Sequence, residues 1–179
     1  MKPGQHVFGV GLPRCGGQTL QKALSILLPK PVVHSPGDKL PYLKPDSFSA
    51  AVEVFAPIPW LLNKFDDPLF ICNIREAESW LKSCTRMYPK SAKWNHPIWK
   101  YPLPQFVDYR DEYMDTRKRY AIALKYTRFL MVDLTGDNQW EPLCNFLKLP
   151  EPSVPFPNVD QVGRPVNLPL PGFEVKFNG

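Results

Sequence analysis

The sequence predicts an α/β domain with a mainly parallel sheet. Three observations carry that prediction. Short apolar runs of strand character alternate with Pro-free windows whose apolar residues recur at helical spacing, the pattern of βαβ crossovers. The 179 residues suit one domain, which at this size buries about 70% of the unfolded chain's surface. The composition is 44% hydrophobic and 13% aromatic with only 10 Gly, which excludes a disordered tail, a collagen or a mini-protein even though the 22 Pro are roughly twice the usual ~5% share.

Proline marks the element boundaries, because it interrupts helices and central strands. Val7-Phe-Gly-Val-Gly11 reads as a short buried strand. The Pro-free window from Arg14 to Leu28 follows, with Leu20, Ala23, Leu24, Leu27 and Leu28 on one helical face. Five prolines between residues 29 and 48 predict a loop or irregular segment. Ala50–Phe55 and Leu69–Ile74 read as strands, and Ala77, Trp80, Leu81, Cys84 and Tyr88 form a helical stripe. A Pro- and aromatic-rich loop is expected over 89–104, then a charged helix within Gln105–Tyr126. Arg128–Asp133 reads as a further strand, Trp140–Leu147 as a short final helix, and the chain from about 150 as a Pro-rich tail. No internal repeat is evident. Ligands of such sheets bind at the carboxyl ends of the strands, so the loops after Gly11, Phe55, Ile74 and Asp133 are expected on one rim.

Charge and cysteines narrow the class. The formal net charge of +5 suits an anionic ligand without singling out nucleic acid. Cys15, Cys72, Cys84 and Cys144 form no C-x-x-C pair, and three of them lie in apolar settings, which fits reduced thiols rather than disulfides or zinc. No stretch of about 18 apolar residues occurs, and Arg14 arrives before a signal-peptide core could form. A cytoplasmic protein without membrane or nucleic-acid partners is expected.

The strongest single feature is Gly9-Val-Gly-Leu-Pro-Arg-Cys-Gly-Gly-Gln-Thr-Leu20, between the first strand and the first helix. Glycines there let backbone N–H groups approach an oxyanion, the helix N-terminus adds open donors, and Arg14 adds a permanent positive charge. A phosphate or sulfate is the natural occupant; the bland alternative is a tight turn with Arg14 in solvent. The G-x-x-x-x-G-K-[ST] pattern needs Lys after Gly16, where Gly17 stands, so an ordinary ATP loop is disfavoured. The phosphatase signature needs Arg six residues after the Cys, where Gln21 stands, so Cys15 is a poor nucleophile and reads as a small loop filler.

The loop resembles the phosphosulfate-binding loop of sulfotransferases that use 3′-phosphoadenosine 5′-phosphosulfate (PAPS), in the branch reading G-x-G-R-T-G-T-x-S-L or P-R-T-G-T-T-S-L. Pro13, Arg14, Gly16 and Leu20 match. Cys15 replaces the first Thr, and Gly17 and Gln18 stand where small hydroxyl residues are usual, with Thr19 left to supply a hydroxyl. Leu69–Ser83 resembles the family segment in which a strand ends in Arg and a helix carries Ser eight residues later, here Arg75 and Ser83. The bland reading pairs Arg75 with Glu76 or Glu78. Trp140-Glu-Pro-Leu-Cys-Asn-Phe-Leu, followed by Pro155–Val159, resembles the branch's C-terminal segment. The resemblance covers roughly residues 1–28, 48–88 and 126–160.

It implies a single-domain three-layer sandwich over residues 1–179, P-loop NTPase-like, with Pro13, Arg14, Cys15, Gly16, Gly17, Gln18, Thr19, Arg75 and Ser83 binding PAPS. The implied reaction is in-line sulfuryl transfer to an acceptor hydroxyl or amine, releasing adenosine 3′,5′-bisphosphate, with no metal. Arg75 and Ser83 would hold the 3′-phosphate and Arg14 would stabilise the leaving group. Glu53, where the branch often carries an acidic residue, is a candidate base; His34 is its rival and His96 a weaker one. Each has a plainer reading, Glu53 as a solvent-facing strand residue and His34 as a loop histidine. Arg164 reads as a solvated side chain, Arg117-Lys-Arg-Tyr120 as a charged helix face, and Trp94, Trp99 and Tyr101 as acceptor-groove or loop-packing residues. Two other functions stay open: a P-loop kinase with Phe129–Asp133 as the metal-side strand, and a nucleotide-binding protein of the same fold without transfer chemistry.

Overall fold

The computed structural model describes residues 2, 4–91, 105–135 and 139–157, without the side chains of 88–91. Strand β1 (Val7–Gly9) leads through a loop into helix α1 (Gly17–Leu27). Strands β2 (Val32–His34) and β3 (Ala50–Val52) follow, then α2 (Ile58–Lys64), β4 (Leu69–Ile74), α3 (Ala77–Ser91), α4 (Phe106–Ala123), β5 (Phe129–Asp133) and α5 (Trp140–Leu147). The five strands pair in the order β2-β3-β1-β4-β5, every pair parallel.

Strand alternation divides the core between the two faces of the sheet. Val7, Ala50, Val52, Leu69 and Ile71 pack against Leu20, Ala23 and Leu24 of α1 and Trp140, Leu143 and Leu147 of α5. Their neighbours Phe8, Ala51, Phe70, Cys72 and Phe129 pack on the other face against Ile58 and Leu61 of α2 and Met114 and Ala121 of α4. The result is an α/β three-layer arrangement with an all-parallel sheet, P-loop NTPase-like as expected. A third cluster, Leu12, Cys15, Trp80, Leu81, Cys84 and Phe106, lies beneath the β1–α1 loop. The chain leaves β1 toward the β2 side and leaves β4 toward β5, so the topological switch point, the position where such sheets bind ligands, falls between β1 and β4.

One element corrects the expectation for the Pro-rich stretches. Residues 29–48 contain β2 in addition to turns at Gly37–Tyr42 and Pro45–Ser47. This strand is the sheet's edge, where flanking prolines are tolerated. Helix α2 lies in a stretch that the sequence left without an element; it begins directly after Pro57, and Pro59 is tolerated in its first turn, where a missing N–H costs no intrahelical bond. The start of the tail is also ordered: Trp140 Nε1 donates to Val154 O at 2.8 Å, and Phe156 packs edge-on against Trp140. Among the described residues no helix is long and apolar enough to cross a membrane.

Candidate functional site

Between β1 and α1 the backbone is held from behind. Tyr113 Oη donates to Val10 O at 2.6 Å and Arg117 Nε to the same oxygen at 3.3 Å. Cys15 N–H returns to Leu12 O at 3.3 Å, and Trp80 Nε1 donates to Pro13 O at 2.9 Å. Arg75 Nη1 reaches Arg14 O at 3.3 Å, and Asn73 Nδ2 donates to Cys15 O at 2.7 Å. In a planar trans peptide the N–H points opposite to its C=O. Fixing the carbonyls of Val10, Pro13, Arg14 and Cys15 therefore sets the direction of the next N–H in each case. Those of Gly11, Arg14 and Gly16 turn away from the groups behind them.

Arg14 (φ 69°) and Gly16 (φ 88°) are left-handed, a backbone that forms anion-accepting concavities. Helix α1 then starts with no side-chain cap and no acidic residue in its first turn, so its first N–H donors lack an intrahelical partner. Two glycines stand at close approaches, Gly11 against backbone and Gly17 against a side chain. A Cβ on Gly11 would stand 2.5 Å from Asn73 O, and one on Gly17 would stand 2.7 Å from Glu53 Cγ and also overlap Glu53 Oε1.

Two side-chain clusters flank this loop. In the first, Arg14 Nε donates to Ser83 Oγ at 3.0 Å, and Ser83 is buried. Arg75 lies beside them through Arg14 O; its Nε is buried with no hydrogen-bond partner. Arg110 Nη2 donates to Arg75 O at 3.2 Å, adding a third guanidinium, paired with Asp111 at 2.7 Å. Glu76 instead caps α3, accepting the N–H groups of Glu78 and Ser79 at 2.7 Å each, and Glu78 pairs with Lys82. Neither acid expected as a partner of Arg75 holds it.

In the second cluster, Ser35 and Glu53 follow the ends of β2 and β3, both left-handed at φ 45° and 54°. Ser35 Oγ donates to Glu53 Oε2 at 2.7 Å, and His34 Nε2 lies 3.6 Å from the same oxygen, buried and with no hydrogen-bond partner. The two rival bases thus share one place beside Gly17. His34 closes a strand and is not a loop residue.

The remaining expectations fall as follows. Pro13 is buried beneath Trp80's bond, Gln18 is exposed, and Thr19 is buried in the first turn of α1. Cys15 is buried with its N–H and C=O both engaged inside, and burial pushes its thiol far above the usual range; it presents no group to a ligand. The thiols of Cys72 and Cys84 are likewise pushed up, to about 12, by burial, and all four cysteines are free. Asp133 binds Thr135 N and Oγ1 at 2.8 and 2.6 Å. Among the described residues no cluster of three or more His, Cys, Asp or Glu could hold a metal ion. His96, Trp94, Trp99, Tyr101 and Arg164 lie outside the described residues.

Arg117 corrects the reading of its segment as a charged face. It is 6% exposed, with its guanidinium 4.3 Å from the centre of the Tyr113 ring. Asn73, Trp80, Arg110, Tyr113 and Arg117 were missed by sequence reasoning. Asn73 had a usable signal, as a polar residue inside an otherwise apolar strand; Arg117 had a weaker one, four residues after Tyr113 and four before Ala121 on the same helical face.

A family model described as a sulfotransferase domain matches residues 109–164. The chain is similar to the sulfotransferases. The match spans just under a third of the chain and covers most of α4, β5 and α5, including Tyr113 and Arg117 under the loop. The β1–α1 loop, Arg75 and Ser83 precede it. No curated protein matches this chain. In general terms, the similarity to a sulfotransferase domain supports a transferase acting on a sulfuryl group.

Proposed function

We propose that this protein transfers a sulfuryl group from PAPS to an acceptor hydroxyl or amine, releasing adenosine 3′,5′-bisphosphate. The observation that carries the reading is the β1–α1 loop. Its carbonyls are tied back and its helix is uncapped, beside a cluster of Arg14, Arg75 and Ser83 that includes a buried, unpartnered guanidinium nitrogen. A nucleotide carrying two phosphate groups suits a loop that offers open N–H donors with guanidinium groups beside it.

The N–H groups of Gly11, Gly16 and the first turn of α1 would hold the 5′-phosphosulfate, with Gly17, Gln18 and Thr19 contributing backbone. Arg14, Arg75 and Ser83 would hold the 3′-phosphate. This assigns Arg14, first expected at the leaving group, to the cluster that its side chain joins in the structure. When bound, PAPS supplies an activated sulfuryl group. A bond forms from the acceptor oxygen or nitrogen to sulfur while the sulfur–oxygen bond to the 5′-phosphate breaks, and the electron pair stays on that phosphate. Fixed N–H dipoles lower the cost of that growing charge. Glu53, steered by Ser35 and faced by His34, takes the acceptor proton.

The test is a melting experiment followed by transfer of labelled sulfate to a panel of phenols, alcohols and amines. At one hundred times its Kd a ligand stabilises by about 2.7 kcal/mol, a melting rise of about 5–10 °C for a chain of this size. Adenosine 3′,5′-bisphosphate should produce it, and Arg14→Ala and Arg75→Ala should abolish most of it. The reading fails if neither PAPS nor the bisphosphate raises the melting temperature.

A further inference from the structure

The guanidinium of Arg117 helps to hold Val10 O, but the site as described so far makes no use of its charge. It is 6% exposed, and its hydrogen-bond and ring contacts are neutral: Val10 O, Tyr113 Oη and the Tyr113 ring. Among the described residues no carboxylate lies within ion-pair distance of it. Removing a charge from water costs several kcal/mol unless a partner compensates, so a buried cation whose partners among the described residues are a carbonyl, a phenol and a ring needs a reason. Its bonding offers one. Arg117 Nε holds Val10 O, and the peptide that follows carries the Gly11 N–H at the entrance to the loop.

The geometry points to Arg117 as a positioning residue and standing counter-charge for an anion on the β1–α1 loop, a charge compensated only when that anion is bound. The proposal rests on the reading of the loop as a phosphate cradle and goes beyond it in making α4 part of the cradle. Through an effective dielectric of about 20, a unit charge on the order of 10 Å from an anion changes its affinity about tenfold.

This gives the residue a signature that a structural arginine lacks. In Arg117→Met the stem keeps much of its volume, and Val10 O keeps its bond from Tyr113 Oη at 2.6 Å. Removing an uncompensated buried charge is neutral or stabilising when the space stays filled. The expected result is a melting temperature unchanged or raised in the absence of ligand, with affinity for adenosine 3′,5′-bisphosphate lowered about tenfold or more by calorimetry. Arg117→Lys loses the fork but can still carry a proton, so it should retain more affinity than Arg117→Met at pH 6, an advantage that closes as rising pH removes the proton, since burial lowers a lysine's pKa.

A large fall in the ligand-free melting temperature with unchanged affinity would overturn the proposal, as would equal losses of affinity in the Lys and Met variants at pH 6. Inorganic pyrophosphate separates this failure from that of the nucleotide reading. If the native chain binds pyrophosphate but not the bisphosphate, and Arg117→Met loses it, the Arg117 assignment stands and the nucleotide falls. If the native chain binds neither, both fall.

Discussion

Gly17 is the position where the sequence departs most from a hydroxyl-bearing phosphate loop, and the structure ties it to Glu53. Take Gly17→Ala. The new Cβ would lie 2.7 Å from Glu53 Cγ and 2.8 Å from Cδ, whereas ordinary contact begins at 3.4 Å. Glu53 Oε1 would stand closer still, so the carboxylate must withdraw by roughly 1 Å to reach ordinary contact. The obstructing atoms belong to a side chain, so the backbone can stay in place. Withdrawal breaks the 2.7 Å bond from Ser35 Oγ, worth about 1.5–3 kcal/mol to a charged group and partly replaced by water. Against this, replacing Gly by Ala in helical backbone stabilises by about 0.4–1 kcal/mol through the unfolded state.

The net is a loss of about 1 kcal/mol, a fall of roughly 2–4 °C in a melting scan. The effect on turnover is larger, since misplacing a reacting group by about 1 Å costs up to 10²-fold. Calorimetry should find bisphosphate affinity within about threefold of native, and the labelled-sulfate assay should find transfer reduced 10–100-fold. In a Glu53→Ala background Gly17→Ala should then cost nothing further. Native turnover in Gly17→Ala, or a full additional loss on top of Glu53→Ala, would refute the coupling.

Asn73→Ala removes the donor to Cys15 O and leaves that buried carbonyl unpaired, a cost of about 1–3 kcal/mol; melting should fall by about 2–12 °C and bisphosphate affinity with it, and an unchanged affinity would show that the carbonyl needs no holding. Glu76 is held below its ordinary 4.5, first by the Ser79 N–H and then by that of Glu78. A depressed carboxyl contributes stability that is complete above the ordinary value and lost as pH falls through the folded one. Melting temperature should therefore drop below pH 4.5 more steeply in the native chain than in Glu76→Gln, and parallel curves would count against the cap. For the proton acceptor, the transfer rates of His34→Asn, Glu53→Gln and the double variant form a cycle. Groups acting as one unit give a double loss no larger than the greater single one, whereas independent groups multiply their losses.

How far the chain could be read from its residues depended on the length and regularity of each element. Strand β4 and helix α5 were read as they stand, because a six-residue apolar run and an eight-residue stripe leave no competing period. Strand β2 has three residues between prolines, too few for a period, and took its place only by pairing with β3. The site divided along similar lines. Arg14, Arg75 and Ser83 belong to local patterns and come together in space. The groups that hold the loop from behind, Asn73, Trp80, Tyr113 and Arg117, come from β4, α3 and α4, and no local pattern in the chain shows which carbonyl a distant donor will meet. The shared place of His34 and Glu53 is likewise a consequence of sheet order, since the register puts His34 opposite Val52, one residue before Glu53.

Backbone strain separates functional geometry from ordinary chain turns. Seven non-glycine residues among those described have positive φ. Lys125 and Tyr126 follow the end of α4 and Lys148 caps α5, positions where a left-handed residue ends a helix. Asp67 precedes β4 and is tied to Lys2 and Arg128. The other three, Arg14, Ser35 and Glu53, all stand beyond the carboxyl ends of β1, β2 and β3. Each such residue costs on the order of 1–2 kcal/mol that a glycine would not. A turn alone would be satisfied by glycine, as at Gly16. What glycine cannot supply is the Arg14 guanidinium on Ser83, or the Ser35 hydroxyl and Glu53 carboxylate that meet at Oε2. The strain therefore falls where side-chain identity and left-handed backbone are both needed, along the rim where the nucleotide and its acceptor would meet.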